Sequence, residues 1–242
     1  MGKKYRWRET LVLIRLHILV EGQTEEGLVK NILAPTLGEY NVFADAHSIT
    51  TSRRRGQIFR GGLKNYENLA RDLMLWMKQD QNEESWFTTM VDLYRLPNNF
   101  PGHDTAPSTA SPLDRVDHFE TEFRIDIAKR MDDAAVARRF VPYIQLHEFE
   151  ALLFSDPAAF IEAFPNRDSA IERLTEIRTS YSPEEINEGQ TTAPSKRILD
   201  VLPDYQKPVA GLLIVQHIGL AKIRSECPHF DDWLTKLIGL AG

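Results

Sequence analysis

The stretch LHILVEGQTEE, residues 16–26, decides the fold. Its first half, Leu16 to Val20, is a short apolar run stopped by Glu21-Gly22, the pattern of a buried strand ending in a tight turn. The second half starts a helix at once. Thr24 is placed to cap it, Glu25 and Glu26 fall in the first turn where the helix dipole favours acids, and Leu28, Ile32 and Leu33 form an apolar stripe that Pro35 limits.

The same alternation recurs along the chain. A second strand is expected within 41–50. After an arginine-rich loop, Gly61-Gly62 leads into a helix whose Leu63, Tyr66, Leu69, Leu73, Trp76 and Met77 share one face. Residues 86–91 read as a third strand ending on Asp92. A long loop with Pro97, Pro101, Pro107 and Pro112 follows, and loops of that kind in compact domains are often functional lids. Between Leu113 and Met131, Val116, Phe119, Phe123 and Ile127 step by three or four, an amphipathic helix. Residues 140–146 are the fourth strand, running into His147-Glu148-Phe149-Glu150. Strands alternating with helices imply an α/β fold with a mostly parallel four-stranded sheet covered by helices on both faces. From Asp156 onward short helical segments are separated by prolines, with no further strand. Residues 1–155 are therefore expected to form the α/β domain, and 156–242 a C-terminal helical extension packed on it.

Composition narrows the functional classes. With 42% hydrophobic and 26% charged residues in 242, the chain has the profile of a soluble globular protein. The lone Cys227 cannot form an internal disulfide, and no N-terminal stretch has the build of a secretory signal, so the cytoplasm is the expected compartment. The apolar stretches 11–20 and 211–221 are too short to span a bilayer, which takes about 20 residues. A net charge of −6 argues against coating nucleic acid by bulk electrostatics but not against a site that holds cations. Arg53, Arg54, Arg55 and Arg60 form a basic cluster that could meet phosphates, or equally a solvated loop. The sequence is silent on oligomeric state.

The acids are the main chemical signal. In open α/β sheets ligands bind at the carboxyl ends of the strands, and Glu21, Asp92 and Glu148 each follow an expected strand. Carboxylate oxygens are the hard ligands that Mg²⁺ or Mn²⁺ prefers. Glu150, two residues beyond Glu148, would share its face in extended backbone and diverge from it in a helix. The competing readings are helix-dipole acids, favoured for Glu25 and Glu26, or surface acids, or a core acid paired with Arg139. His147 reads as a packing or supporting residue, since no second histidine stands at zinc-site spacing. The phosphate loop GxxxxGK[ST], GxGxxG, HExxH and GxSxG are all absent.

VEGQTEE, from Val20, resembles the opening motif of Toprim domains, the fold shared by topoisomerases, primases and the OLD (overcoming lysogenization defect) nucleases. GGLKNY from Gly61, TTMVDLYRLPNNFPG from Thr88, RFVPYIQLHEFEALLFSD from Arg139, APSKRI from Ala193 and CPHF from Cys227 are together similar to an uncharacterised bacterial Toprim-like family. That family is often thought to work beside an ATPase in defence against mobile elements. The resemblance implies a Toprim-like metal-dependent phosphodiesterase, a nuclease acting on DNA or RNA. Glu21, Asp92, Glu148 and Glu150 would hold one or two Mg²⁺ or Mn²⁺ ions, Lys207, or else Lys196, would supply a catalytic cation, and the arginine cluster would position phosphates. Toprim nucleases usually carry Asp-x-Asp after the third strand, whereas this chain reads Asp92-Leu93-Tyr94. That departure leaves a second reading, a non-catalytic docking or regulatory subunit of an ATPase.

Overall fold

A computed structural model describes residues 12–54, 57–60, 63–106, 111–186 and 191–242. Strand β1 (Ile14–Val20) leads through Gly22 into α1 (Gln23–Leu28), which continues through a π turn (Val29–Leu33) into α2 (Ala34–Gly38). Then come β2 (Val42–Ser48), the antiparallel pair β3 (Thr50–Arg54) and β4 (Gln57–Arg60), α3 (Tyr66–Gln79) and β5 (Ser85–Asp92). Helix α4 (Pro112–Met131) and the short α5 (Ala134–Ala137) precede β6 (Phe140–Val141) and β7 (Ile144–Gln145).

The main sheet has the order β2-β1-β5, with β6 and β7 both on the far side of β5, and every pairing in it is parallel. The expected four-stranded parallel sheet is therefore present. Its last strand is broken into two pieces at Pro142, whose ring has no N–H to give the ladder. The segment expected to be only an arginine-rich loop forms the β3–β4 hairpin instead.

Local sequence explains most element ends. Helix α3 starts at Asn65, whose side chain accepts from Glu67 N–H, and α4 starts in a capping box between Ser111 and Asp114. The expected Thr24 cap is not made. Gly22 occupies the N-cap position without a side-chain bond, and Thr24 is buried inside the first turn.

Two apolar layers cover the sheet. On one face Leu73, Met77, Phe87, Phe123 and Ile127 pack together beneath α3 and α4. On the other, Leu16, Ile18 and Val20 of β1 meet Phe149, Leu152 and Phe154 from a 3₁₀ stretch (Phe149–Ser155) that follows β7. The same layer takes in the C-terminal helices: α6 (Asp168–Ser180), α7 (Pro194–Val201), α8 (Leu212–Ile218), α9 (Leu220–Glu226) and α10 (Pro228–Ile238). Trp233 of α10 reaches far enough to donate its indole N–H to Thr88 of β5 at 2.9 Å. Among the described residues no helix is long and apolar enough to cross a membrane.

Candidate metal centre

The register of the sheet aligns its carboxyl edge. Val20 lies beside Met90, and Asp92 beside Gln145, so the residues leaving β1, β5 and β7 emerge next to one another. Glu21, Asp92, Glu148 and Glu150 are all buried, at 5%, 2%, 3% and 3% exposure, and Glu25 joins them at 4%. An acid at this depth needs a partner, because burial disfavours the charged form.

The shared partner is Lys207, at the start of a π-helical turn (Lys207–Gly211). Its Nζ lies 3.0 Å from Glu25 Oε1, 3.4 Å from Glu150 Oε2 and 3.5 Å from Asp92 Oδ2, and sits over the Phe149 ring at 5.3 Å. Two glycines line this approach. A Cβ on Gly27 of α1 would press on the Leu212 side chain, and one on Gly211 would stand 2.8 Å from Tyr205 Oη and 3.0 Å from Phe149, so the packing around the lysine turn is close at both glycines.

The two acids after β7 diverge. His147, with φ of 62°, turns the chain, and its Nε2 lies 3.0 Å from the Glu184 carbonyl. Glu148, still extended, accepts the Ser195 N–H at 2.6 Å in the first turn of α7, whereas Glu150, inside the 3₁₀ stretch, faces Lys207. Asp92 Oδ1 accepts the Phe149 N–H at 3.2 Å. Glu21 Oε1 has no hydrogen-bond partner among the described residues. Glu25 Oε1 and Glu150 Oε2 have none beyond the ion pair with Lys207.

The electrostatics follow from this crowding. Burial, with repulsion from Glu25, pushes the Glu21 carboxyl up to about 7. Burial also raises Asp92 well above the usual carboxylate range, with Lys207 opposing and Glu21, Glu25 and Glu150 adding to it, and it raises Glu150 in the same way. Burial alone would lower Lys207, yet Asp92, Glu150 and Glu25 hold it well above an ordinary lysine. The site opens to solvent through a cleft of about 410 Å³ whose walls include Glu21, Glu25, Glu26, Ser48, Arg95 and Lys207. Ser48 donates to Glu26 at 2.5 Å across one side of it.

This donor set fits a hard divalent cation. It offers three carboxylates around one lysine ammonium with a fourth, Glu21, on the same cleft, several oxygens without a hydrogen bond, and no soft ligand. Glu21, Glu25, Asp92 and Glu150 are the residues that would hold it. Glu148 stands beside them with one oxygen committed to α7.

Other expectations fall differently. Glu25, read from sequence as a dipole acid, is part of the cluster, and Glu26 is the one of the pair turned to Ser48. Among the described residues Arg139 pairs with no core acid; it donates to the carbonyls of Asn82 and Ser85. Tyr94 is 37% exposed and supplies nothing to the cluster. Lys196 is exposed on α7, lining a different cleft with Arg173 and Arg197. The side chains of Arg53, Arg54 and Arg60, and the whole of Arg55, lie outside the described residues.

Fold and site together define an α/β protein with a buried carboxylate cluster on the carboxyl edge of a parallel sheet. The chain belongs to the family described as a domain of unknown function, DUF4276, whose pattern it matches over residues 20–238. No curated protein matches it in sequence. Among solved structures it is similar to the C-terminal region of the OLD protein of Xanthomonas campestris pv. campestris. In one structure of that region the TM-score is 0.40 at 13% identity, covering 92% of this chain and 95% of that one. A second structure of the same region gives 0.38 at 15%, covering 92% and 97%.

Proposed function

We propose that this chain is a Toprim-like, Mg²⁺- or Mn²⁺-dependent phosphodiesterase that cleaves DNA or RNA. The observation that carries the reading is the cluster itself: buried Glu25, Asp92 and Glu150 all reach the Lys207 ammonium, with buried Glu21 on the same cleft and oxygens left unbonded, at the edge where α/β sheets bind ligands. Buried acids normally have their oxygens hydrogen-bonded, and here Glu21, Glu25 and Glu150 each keep one oxygen without a hydrogen bond.

A bound divalent ion would supply an activated water and neutralise charge on the scissile phosphate. The chain's own residues set up the rest. Phe149 N–H fixes one oxygen of Asp92 and leaves the other facing inward. Lys207 provides a cation at the floor of the cleft, and Arg95 lines the wall, so a phosphodiester entering there meets positive charge on two sides. The arginines of the β3–β4 hairpin would hold flanking phosphates without reading sequence. In the cell the activity would be the effector of an ATPase-linked bacterial defence system.

The test is direct. The purified chain is incubated with plasmid, single-stranded DNA and RNA in Mg²⁺ or Mn²⁺, beside Glu21→Gln. The expected result is cleavage by the wild type and a loss of about 100-fold or more in the variant, the scale seen when catalytic machinery is removed. Equal cleavage by both would sink the site. Silence in both, with and without an ATPase, would favour the docking subunit, the reading that the exposed Tyr94 in place of a second acid supports.

A further inference from the structure

Lys207 stands between the cleft and the deepest acids. Glu21 and Glu25 line the cleft; Asp92 and Glu150 do not, and Lys207, which lines it too, is the residue in contact with both sets through Glu25, Asp92 and Glu150. An ammonium and a hard dication want the same environment, a converging set of carboxylate oxygens, and they repel each other at contact distance. The lysine makes the burial of Glu25, Asp92 and Glu150 tolerable, because an uncompensated charge at that depth is strongly destabilising.

We propose that Lys207 is the resident counter-ion of this site and that a divalent cation enters by displacing it, turning the ammonium out into the cleft. The backbone need not move. The π turn packs closely at Gly211 against Tyr205 and Phe149, while the four-carbon lysine stem has the freedom to swing. Cation loading and presentation of the phosphate-binding ammonium then become one event. The inference rests on the metal-dependent reading above and adds a sequence of events to it.

Two measurements test it without relying on turnover. Calorimetric titration with Mn²⁺ should give binding at least about tenfold tighter in Lys207→Met than in the wild type, since a competing positive charge has gone. Equal or weaker binding by the variant overturns the displacement while leaving the metal site standing. No binding by either protein removes the metal reading and this inference with it. On the wild type alone, reductive methylation read by peptide mass spectrometry should show Lys207 more reactive with Mn²⁺ than without, while exposed Lys222 and Lys236 stay constant. Unchanged or reduced reactivity of Lys207 overturns the proposal even if the methionine variant does not fold.

Discussion

Two groups of buried and half-buried acids in this molecule are built on opposite logic. Around α10, Glu184 spends both oxygens on backbone donors, accepting His229 N–H and Phe230 N–H at 3.0 Å each. Glu120 accepts Ile144 N–H at 2.8 Å and lies 3.2 Å from His229 Nε2, which is also 3.2 Å from the Ile144 carbonyl. These acids tie α4, β7 and the start of α10 together. Around Lys207 one oxygen of Asp92 takes an amide, while Glu21 Oε1, Glu25 Oε1 and Glu150 Oε2 take none. Spacing alone would allow a cation among Asp117, Glu120 and His229. The hydrogen bonds separate the cases: Glu184 has both oxygens on amides, whereas Glu21, Glu25 and Glu150 each keep an oxygen with no hydrogen bond.

The contrast can be broken by exchanging the expected phenotypes. Glu150→Gln should lower metal-dependent cleavage by about 100-fold or more while leaving the unfolding midpoint unchanged or raised, because it removes a desolvated charge from a crowded site. Paired urea melts and cleavage rates read both; a loss of stability without a loss of rate would place Glu150 with the structural acids. Glu184→Ala should do the reverse. Two buried N–H groups lose their acceptor at the first turn of α10, a cost of about 2–4 kcal/mol in denaturant unfolding, with Mn²⁺ affinity unchanged. A weakened metal titration in that variant would join the two clusters into one unit and dissolve the comparison.

How much of this was legible in the sequence follows the range of the interactions. Periodicity is local, and the parallel sheet, both long helices and the acids leaving β1, β5 and β7 could be read from it. Pro142 was visible too, but its effect on the last strand depends on which neighbour needs its missing N–H. Glu25 and Glu26 satisfy the dipole argument equally well in the first turn, and only the packed lysine turn tells Glu25 from Glu26. Lys207 has no periodic context of its own; the need for a cation at a phosphate site points to it only as one of two lysines, and its contacts with Glu25, Asp92 and Glu150 show only in three dimensions. The hairpin after β2 is not legible in the sequence, since a polar, arginine-rich stretch lacks the alternation that marks a half-buried strand.

The smallest expected effect concerns the proton that the structural cluster holds. Burial works to lower the His229 pKa, but the hydrogen bond and charge of Glu120, with Glu184 and the Ile144 carbonyl, raise it above the ordinary 6.5. A histidine that binds its proton more tightly folded than unfolded adds stability that is fully present below the unfolded value and is lost as pH rises through the folded one. The wild type should therefore lose a modest part of its stability on going from just below pH 6.5 into the alkaline range, and His229→Gln should flatten that part of the profile while lowering stability at its acid end. Melts across that range, made without divalent metal for both proteins, give the difference curve. A difference that is constant with pH would mean that His229 stays neutral in the fold and serves only as a neutral donor to Ile144, leaving Glu120 to be compensated by the Ile144 amide.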